Sequence, residues 1–279
     1  MTRSSPWASV VIPAHNEERV IGRCLAALQA GVRPGELEVV VVANGCTDDT
    51  ERVARSTGAP VRVMSLPEAS KTAALNAGDA VASVFPRAYV DADVELGSES
   101  LRAVVDALEG ADIHCAAPQL HVDLAGRPWY VRLFFRAFQA LPYGGHDPVA
   151  NGMYVLSEEG RSRFGQFPDI TAEDLFVRNL FRPHERRAVP GTAFTVHPPR
   201  TLGGMLAIRE RAYRGKREYF ARGFRSAAEP TFQWAGVLRG LHRDPAATIV
   251  YFGVNILARG RLLFRGAPDQ WQRDDSSRQ

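Results

Sequence analysis

"ELEVVVVANGCTDDT", residues 36–50, is the stretch whose reading decides the fold. Val39 to Val42 form an unbroken apolar run of both parities. A strand with one wet face alternates apolar and polar residues, whereas a strand apolar at every position is buried on both faces, as in a parallel sheet covered by helices. The run ends at Asn44-Gly45, a pair suited to a tight turn, and Thr47 stands where a cap for a following helix is expected.

The same alternation extends in both directions. "ASVVIPA" (8–14) reads as a buried strand, and 16–31 as a helix with Val20, Ile21, Cys24, Leu25 and Leu28 at helical spacing and Gly31 at its C-terminal end. Residues 60–66 read as a third strand, 70–83 as a helix, 87–93 as a fourth strand, Ser98 as the start of a helix, and 112–120 as a fifth strand. Strands and helices in strict succession indicate an α/β fold with a Rossmann-like, mostly parallel sheet flanked by helices. Beyond residue 125 the alternation fades: 129–141 reads as helix, 152–157 as a short strand, 171–181 as helix, 187–199 as extended chain and 201–226 as a strongly basic helix. The expected organisation is one continuous domain. It has a tail at 1–7, a nucleotide-binding half at 8–125, an acceptor and catalytic half at 126–226, a helical extension at 227–267 and a disordered polar tail at 268–279.

Composition bounds the function. With 45% hydrophobic and 23% charged residues the chain can build a sizeable core. A net charge of +3 is too mild to indicate nucleic acid, and the arginines fall in helices without interleaved aromatics, so no nucleic-acid partner is expected. Cys24, Cys46 and Cys115 are odd in number and irregular in spacing, which reads as free thiols in the cytoplasm. The N-terminus has no long apolar segment of a signal peptide. The apolar run 248–258 is too short to span a bilayer, which takes about 20 residues. It reads as a packed terminal helix or, with Arg259, Arg261 and Arg265 beside it, as a peripheral contact with the inner face of a membrane.

In open α/β sheets ligands bind beyond the carboxyl ends of the strands, and the chemically unusual residues fall there. "YVDADVEL" (89–96) carries Asp91 and Asp93 two apart, on one face if the strand continues, with Glu95 as a third carboxylate. Like charges so close repel. A hard divalent cation, Mg²⁺ or Mn²⁺, would relieve that repulsion and hold a diphosphate at the same point. The alternative is a pair of solvated turn residues. Neither GxGxxG nor a Walker A motif is present, which argues against a dinucleotide oxidoreductase and a P-loop NTPase.

Taken in order, "SVVIPAHNEE", "VVVVANGCTDDT", "SKTAALNAG", "YVDAD" and "TAEDLFVR" resemble the family 2 glycosyltransferases over roughly residues 8–215. The resemblance implies an inverting enzyme with the GT-A nucleotide-diphospho-sugar transferase fold. It moves a sugar from a nucleotide-diphosphate donor to an acceptor hydroxyl, assisted by Mg²⁺ or Mn²⁺. It further implies that Pro13, Ala14 and Glu17 line the base and ribose pocket. Asn44 stands where the family has an Asp that accepts the uracil N–H; its carbonyl can still accept, which keeps a UDP-sugar favoured. Lys71 matches a basic residue near the base or diphosphate, and an exposed Lys opening a helix is the equal alternative. Asp91 approaches the ribose or a metal-bound water, Asp93 holds the metal, and His197 completes the metal shell. Asp174 is the implied general base, with Glu173 beside it; the alternative is a helix cap, since Thr171 and Asp174 have capping-box spacing. Arg211 and Arg214 stand in place of the Q-x-x-R-W of polymer synthases, which argues against processive synthesis; Arg214 would stabilise the leaving diphosphate. "WYVRLFFRAF" and "LPYGGHD" are candidates for the acceptor pocket, and the acceptor itself is not legible. A sugar-nucleotide-binding protein without catalysis is the second reading, and a nucleotidyltransferase ranks below both.

Overall fold

A computed structural model describes residues 5–58, 60–109, 112–140, 149, 151–225 and 242–265. The described chain groups into two compact units. One comprises the described residues of Met1–His121, Pro148–Asp169 and Glu173–Val196, and the other those of Val122–Asp147, Ile170–Ala172 and His197–Gln279.

The first unit is built on an eight-stranded sheet. In chain order its strands are β1 (Ser9–Ala14), β2 (Glu38–Asn44), β3 (Val61–Leu66), β4 (Arg87–Val90), β5 (Glu95–Leu96), β6 (Cys115–Val122), β7 (Met153–Leu156) and β8 (Arg186–Val196), and their order across the sheet is β3-β2-β1-β4-β7-β6-β8-β5. Pairing is parallel from β3 to β4, with Val11 opposite both Val40 and Tyr89. Beyond β4 the pairing turns antiparallel: β7 lies against β4 and β6, and β5 against β8. The α/β expectation holds, and the sheet is mixed. Its parallel half is the part whose strands are apolar at both parities: every residue of β1 is buried, as is β2 beyond Glu38.

The connecting helices flank the sheet. They are α1 (Ile21–Gln29), α2 (Thr50–Ser56), α3 (Lys71–Val81) and α4 (Ser98–Asp106). Ile21, Cys24, Leu25 and Leu28 of α1 are buried, and the helix stops at Gly31, whose φ of +75° is open to glycine at little cost. Thr47 does not cap α2: Asp49 precedes its first residue, the Asp48 carboxylate accepts the Thr50 N–H at 3.0 Å, and the Thr47 N–H goes to Asn16 Oδ1 at 2.8 Å. Ser70 caps α3 by accepting the Ala73 N–H at 3.2 Å. Gly78 lets α3 approach β1 so closely that an added Cβ would lie 2.5 Å from Val11 Cγ1. The later helices of this unit are short: α6 (Glu158–Ser162) and α7 (Glu173–Asn179).

In the second unit α5 (Trp129–Ala140), α8 (Leu202–Ala221) and α9 (Pro245–Arg265) pack together around Val131, Phe134, Met205, Tyr251 and Val254. The apolar run 248–258 therefore needs correcting. It is the middle of a 21-residue helix, and Pro245–Leu263 is long and apolar enough, by length and composition, to cross a membrane. The helix continues past the run because its arginines find partners: Arg261 pairs with Glu210 at 2.9 Å and Arg259 lies over the Tyr213 ring. The expected loop "LPYGGHD" and the tail from 268 lie outside the described residues.

Candidate active site

Strand β4 ends at Val90, and Asp91 to Asp93 form a turn closed by the Val94 N–H on the Asp91 carbonyl at 3.1 Å. The expected strand through Asp93 stops three residues early. The segregation of side chains survives: Ala92 is buried in the core with Val90 and Val94, while Asp91 and Asp93 stay accessible. The Asp91 N–H is held by the Gly152 carbonyl at 2.8 Å, which ties the turn to the approach of β7. Glu95 does not join the pair, because Arg23 takes it at 2.6 Å.

The repulsion foreseen at this turn is relieved by Lys71. Its Nζ lies 2.7 Å from Asp91 Oδ1 and 2.6 Å from Glu173 Oε1. Lys71 is the first residue of α3 and Glu173 the first of α7, so one ammonium joins the turn after β4 to two helix N-termini. Burial by itself would lower the Lys71 pKa, but the two carboxylates outweigh it and hold the ammonium above its ordinary value. Glu173 is buried, and burial raises its pKa although Lys71 opposes the shift. Asp174, half-buried in the same first turn, accepts the Leu175 N–H at 2.7 Å. The helix N-terminus favours both carboxylates as anions. The capping-box alternative is not how α7 begins, since the helix starts at Glu173 and the Thr171 N–H is taken by Glu218 at 3.0 Å.

Lys71, Asp91, Glu173 and Asp174 line one cleft with Pro13 and Tyr154. It lies at the carboxyl ends of β1 and β4, where the topology places ligands. Tyr89 and Tyr154, rings 5.2 Å apart, form its aromatic floor. Beneath them Asp79 accepts from Tyr89, Arg87 and Arg161, so the floor rests on a paired, buried network.

The remaining expected donor residues lie at the ends of β1 and β2. Ala14 is buried, and its carbonyl accepts from Asn44 Nδ2 at 2.9 Å. Asn44 is buried as well, and its Oδ1 has no hydrogen-bond partner among the described residues. The Glu17 N–H donates to Thr50 Oγ1 at 2.6 Å, and the Glu17 carbonyl starts α1. Cys24, Cys46 and Cys115 form no disulfide among the described residues; burial, then Asp93 and Asp91, push the Cys24 thiol far above its ordinary range. His197 belongs to the second unit, with Nδ1 3.1 Å from Asp123. Arg211 and Arg214 are half-buried on α8 of that unit. Among the described residues no group of three or more His, Cys, Asp or Glu side chains is arranged to hold a metal.

The family model described as Glycosyl transferase family 2 matches residues 9–156, just over half of the chain. The chain belongs to glycosyl transferase family 2. A 4,4'-diaponeurosporenoate glycosyltransferase of Staphylococcus aureus is 27% identical over 196 residues, 66% of this chain and 49% of that protein. Glycosyltransferase AglE of Haloferax volcanii is 30% identical over 118 residues, 40% of this chain and 39% of that protein. The chain thus spans about half or less of the length of these curated relatives. Among solved structures, the mannosyltransferase PcManGT of Pyrobaculum calidifontis, in complex with GDP-Man and Mn²⁺, aligns with a TM-score of 0.61 and 21% identity, over 95% of this chain and 77% of its own. Glucosyl-3-phosphoglycerate synthase of Mycobacterium tuberculosis, with Mn²⁺, UDP-glucose and phosphoglyceric acid, aligns with a TM-score of 0.55 and 23% identity, over 82% of this chain and 84% of its own. At these identities the likeness speaks to the fold, which is GT-A. The region matched by the family model covers β1 to β7 and the Asp91–Asp93 turn but stops short of α7.

Proposed function

We propose that the protein is an inverting glycosyltransferase in which Asp174 is the general base. The carrying observation is the convergence of Asp174 with the Lys71-bridged pair Asp91 and Glu173 in one cleft at the carboxyl ends of the strands. Inversion requires a single displacement. The acceptor oxygen attacks the anomeric carbon, its proton passes to a carboxylate, and the nucleotide diphosphate leaves from the opposite face. Asp174 is exposed enough to meet an acceptor, while Glu173 beside it is buried against Lys71 and is spoken for. This division assigns proton transfer to Asp174 and positioning to Glu173.

The donor in this reading is a nucleotide-diphosphate sugar, with a UDP-sugar as first choice and GDP-sugars kept in the screen. Asn44 Oδ1, buried without a partner among the described residues, is an acceptor of the kind a pyrimidine N–H needs. For the metal, the donors at the turn are carboxylate oxygens on accessible side chains, the set that Mg²⁺ and Mn²⁺ prefer. Asp93 would hold the ion, with Asp91 joining through water while Lys71 keeps its charge balanced. When bound, the cation neutralises charge on the leaving diphosphate. Three cysteines with no disulfide among the described residues fit a cytoplasmic setting.

The test is transfer from radiolabelled UDP- and GDP-sugars, read together with donor binding by calorimetry in Mn²⁺. Asp174→Asn is expected to lose at least about a hundredfold in turnover while keeping donor affinity. Asp93→Asn is expected to lose Mn²⁺-dependent donor binding. Near-normal turnover in Asp174→Asn would remove the base from this residue. Donor binding with neither transfer nor donor hydrolysis in the unaltered protein would favour a binding protein.

A further inference from the structure

The two units differ sharply in charge. The sequence of the second unit holds 18 Lys and Arg against 9 Asp and Glu, a net of +9, and the first holds 16 against 22, a net of −6. The basic unit also carries an apolar surface. On α9, Ile249, Ile256, Leu257 and Leu263 are 64%, 66%, 54% and 82% exposed. At roughly 100° per residue, Ile249, Ile256 and Leu263 project within about 40° of one another, and Leu257 stands about 80° to one side. Gly253 and Gly260 fall between them, and Arg259 and Arg261 fall on opposite margins of the stripe.

The opposite face of α9 is fixed. Tyr251 stacks on Phe134 at 5.1 Å, and Asn255 Oδ1 accepts from Arg209 at 2.9 Å and from Tyr213 at 2.6 Å. The apolar stripe cannot turn inward without breaking these contacts.

We infer that this face docks on an anionic lipid surface, with α9 lying in the headgroup plane. An apolar stripe edged by arginines, on a unit of net +9, has the pattern of an interfacial helix: the apolar side chains enter the acyl boundary and the exposed Arg259 guanidinium meets phosphates, while Arg261 stays with Glu210. A second copy of the chain is the poorer occupant, because it would set two strongly basic units against each other. Spanning is disfavoured by the polar contacts of Asn255 and by Arg259 and Arg261 within the helix.

The experiment is flotation of the full chain with vesicles of phosphatidylcholine alone or mixed equally with phosphatidylglycerol, at low and high salt. Its readout is lipid binding, independent of the assignment of Asp174. Binding to the anionic vesicles, weakened by salt and weak on neutral ones, is expected. Ile256→Gln with Leu263→Gln, at exposed positions that tolerate a good helix former, should reduce it by about tenfold or more, and Arg259→Gln by about fivefold. Circular dichroism of both variants confirms that the helices persist. No binding at low salt overturns the inference. So does a dimer that the double variant dissolves while the unaltered chain ignores vesicles, and so does membrane association that only detergent reverses, which would mean a spanning helix.

Discussion

Replacing Lys71 with Met removes the ammonium from between Asp91 and Glu173 while keeping most of the apolar stem. Glu173 is only 5% exposed in its side chain, so it is left as a buried carboxylate facing Asp91 and Asp174. Breaking a buried pair by removing one partner costs about 3–5 kcal/mol. Lys71 itself is 30% exposed, which places the expected loss near the lower end, about 3 kcal/mol. For a domain of this size that is a fall in Tm of roughly 6–12 °C. The pH dependence distinguishes this cause from a generic packing loss. An orphaned Glu173 has its folded pKa raised above the unfolded value of 4.5, by burial first and then by its acidic neighbours. A group of this kind binds more protons folded than unfolded, so stability falls as pH rises above 4.5 and recovers as pH is lowered toward it. Thermal melts of variant and unaltered protein should therefore differ most at neutral pH and converge on acidification. Adding Glu173→Gln to Lys71→Met should restore much of the loss at neutral pH, since neither charge is then unpaired. A variant that melts within about a degree of the parent at neutral pH, or a deficit that ignores both pH and the second substitution, would refute the bridging role.

Asp79→Asn should destabilise by about 2–4 kcal/mol in urea, because Arg87 and Arg161 lose a buried counterion. Burial opposes ionisation of Asp79, but the donated hydrogen bonds of Arg161, Tyr89 and Arg87 hold its pKa below 3.8, so its contribution is full at neutral pH and fades as acid takes it below that value. Gly78→Ala should cost about 1–3 kcal/mol, since its methyl would meet Val11 inside the sheet–helix interface. Gly253→Ala, with open space around the added methyl, should instead stabilise α9 by about 0.5–1 kcal/mol, and the two melts read together separate crowding from helix propensity.

The parallel half of the sheet was legible because burial on both faces leaves β1 and β2 almost without polar residues. The strand order beyond β4 was not, because β7 inserts beside β4 through pairings that no local pattern encodes. The Asp91–Asp93 stretch read as strand since Val90, Ala92 and Val94 alternate with the acids; the same alternation is satisfied by a turn that buries Ala92. Asp174 and Asp91 were legible as site candidates through the motif order, and the cleft brings them together. The partner of Lys71 was not, because residues 71, 91 and 173 are joined only by the fold. One signal was available: the chain has 2 lysines against 32 arginines, so a lysine at the start of α3 is no accident of composition. A compact ammonium fits between two carboxylates where a broad guanidinium would not.

The bridge at Lys71 also sets a schedule for biosynthesis. Its three members are spread over a hundred positions, so a nascent chain emerging from the ribosome carries the acidic turn long before Glu173 has been polymerised. Until then Lys71 and Asp91 can meet, but the second carboxylate and Asp174 beside it are missing. The cleft is therefore among the last features of the first unit to be completed, and a prematurely terminated chain ending before α7 would possess the parallel strands and the acidic turn but leave one wall of the cleft unbuilt.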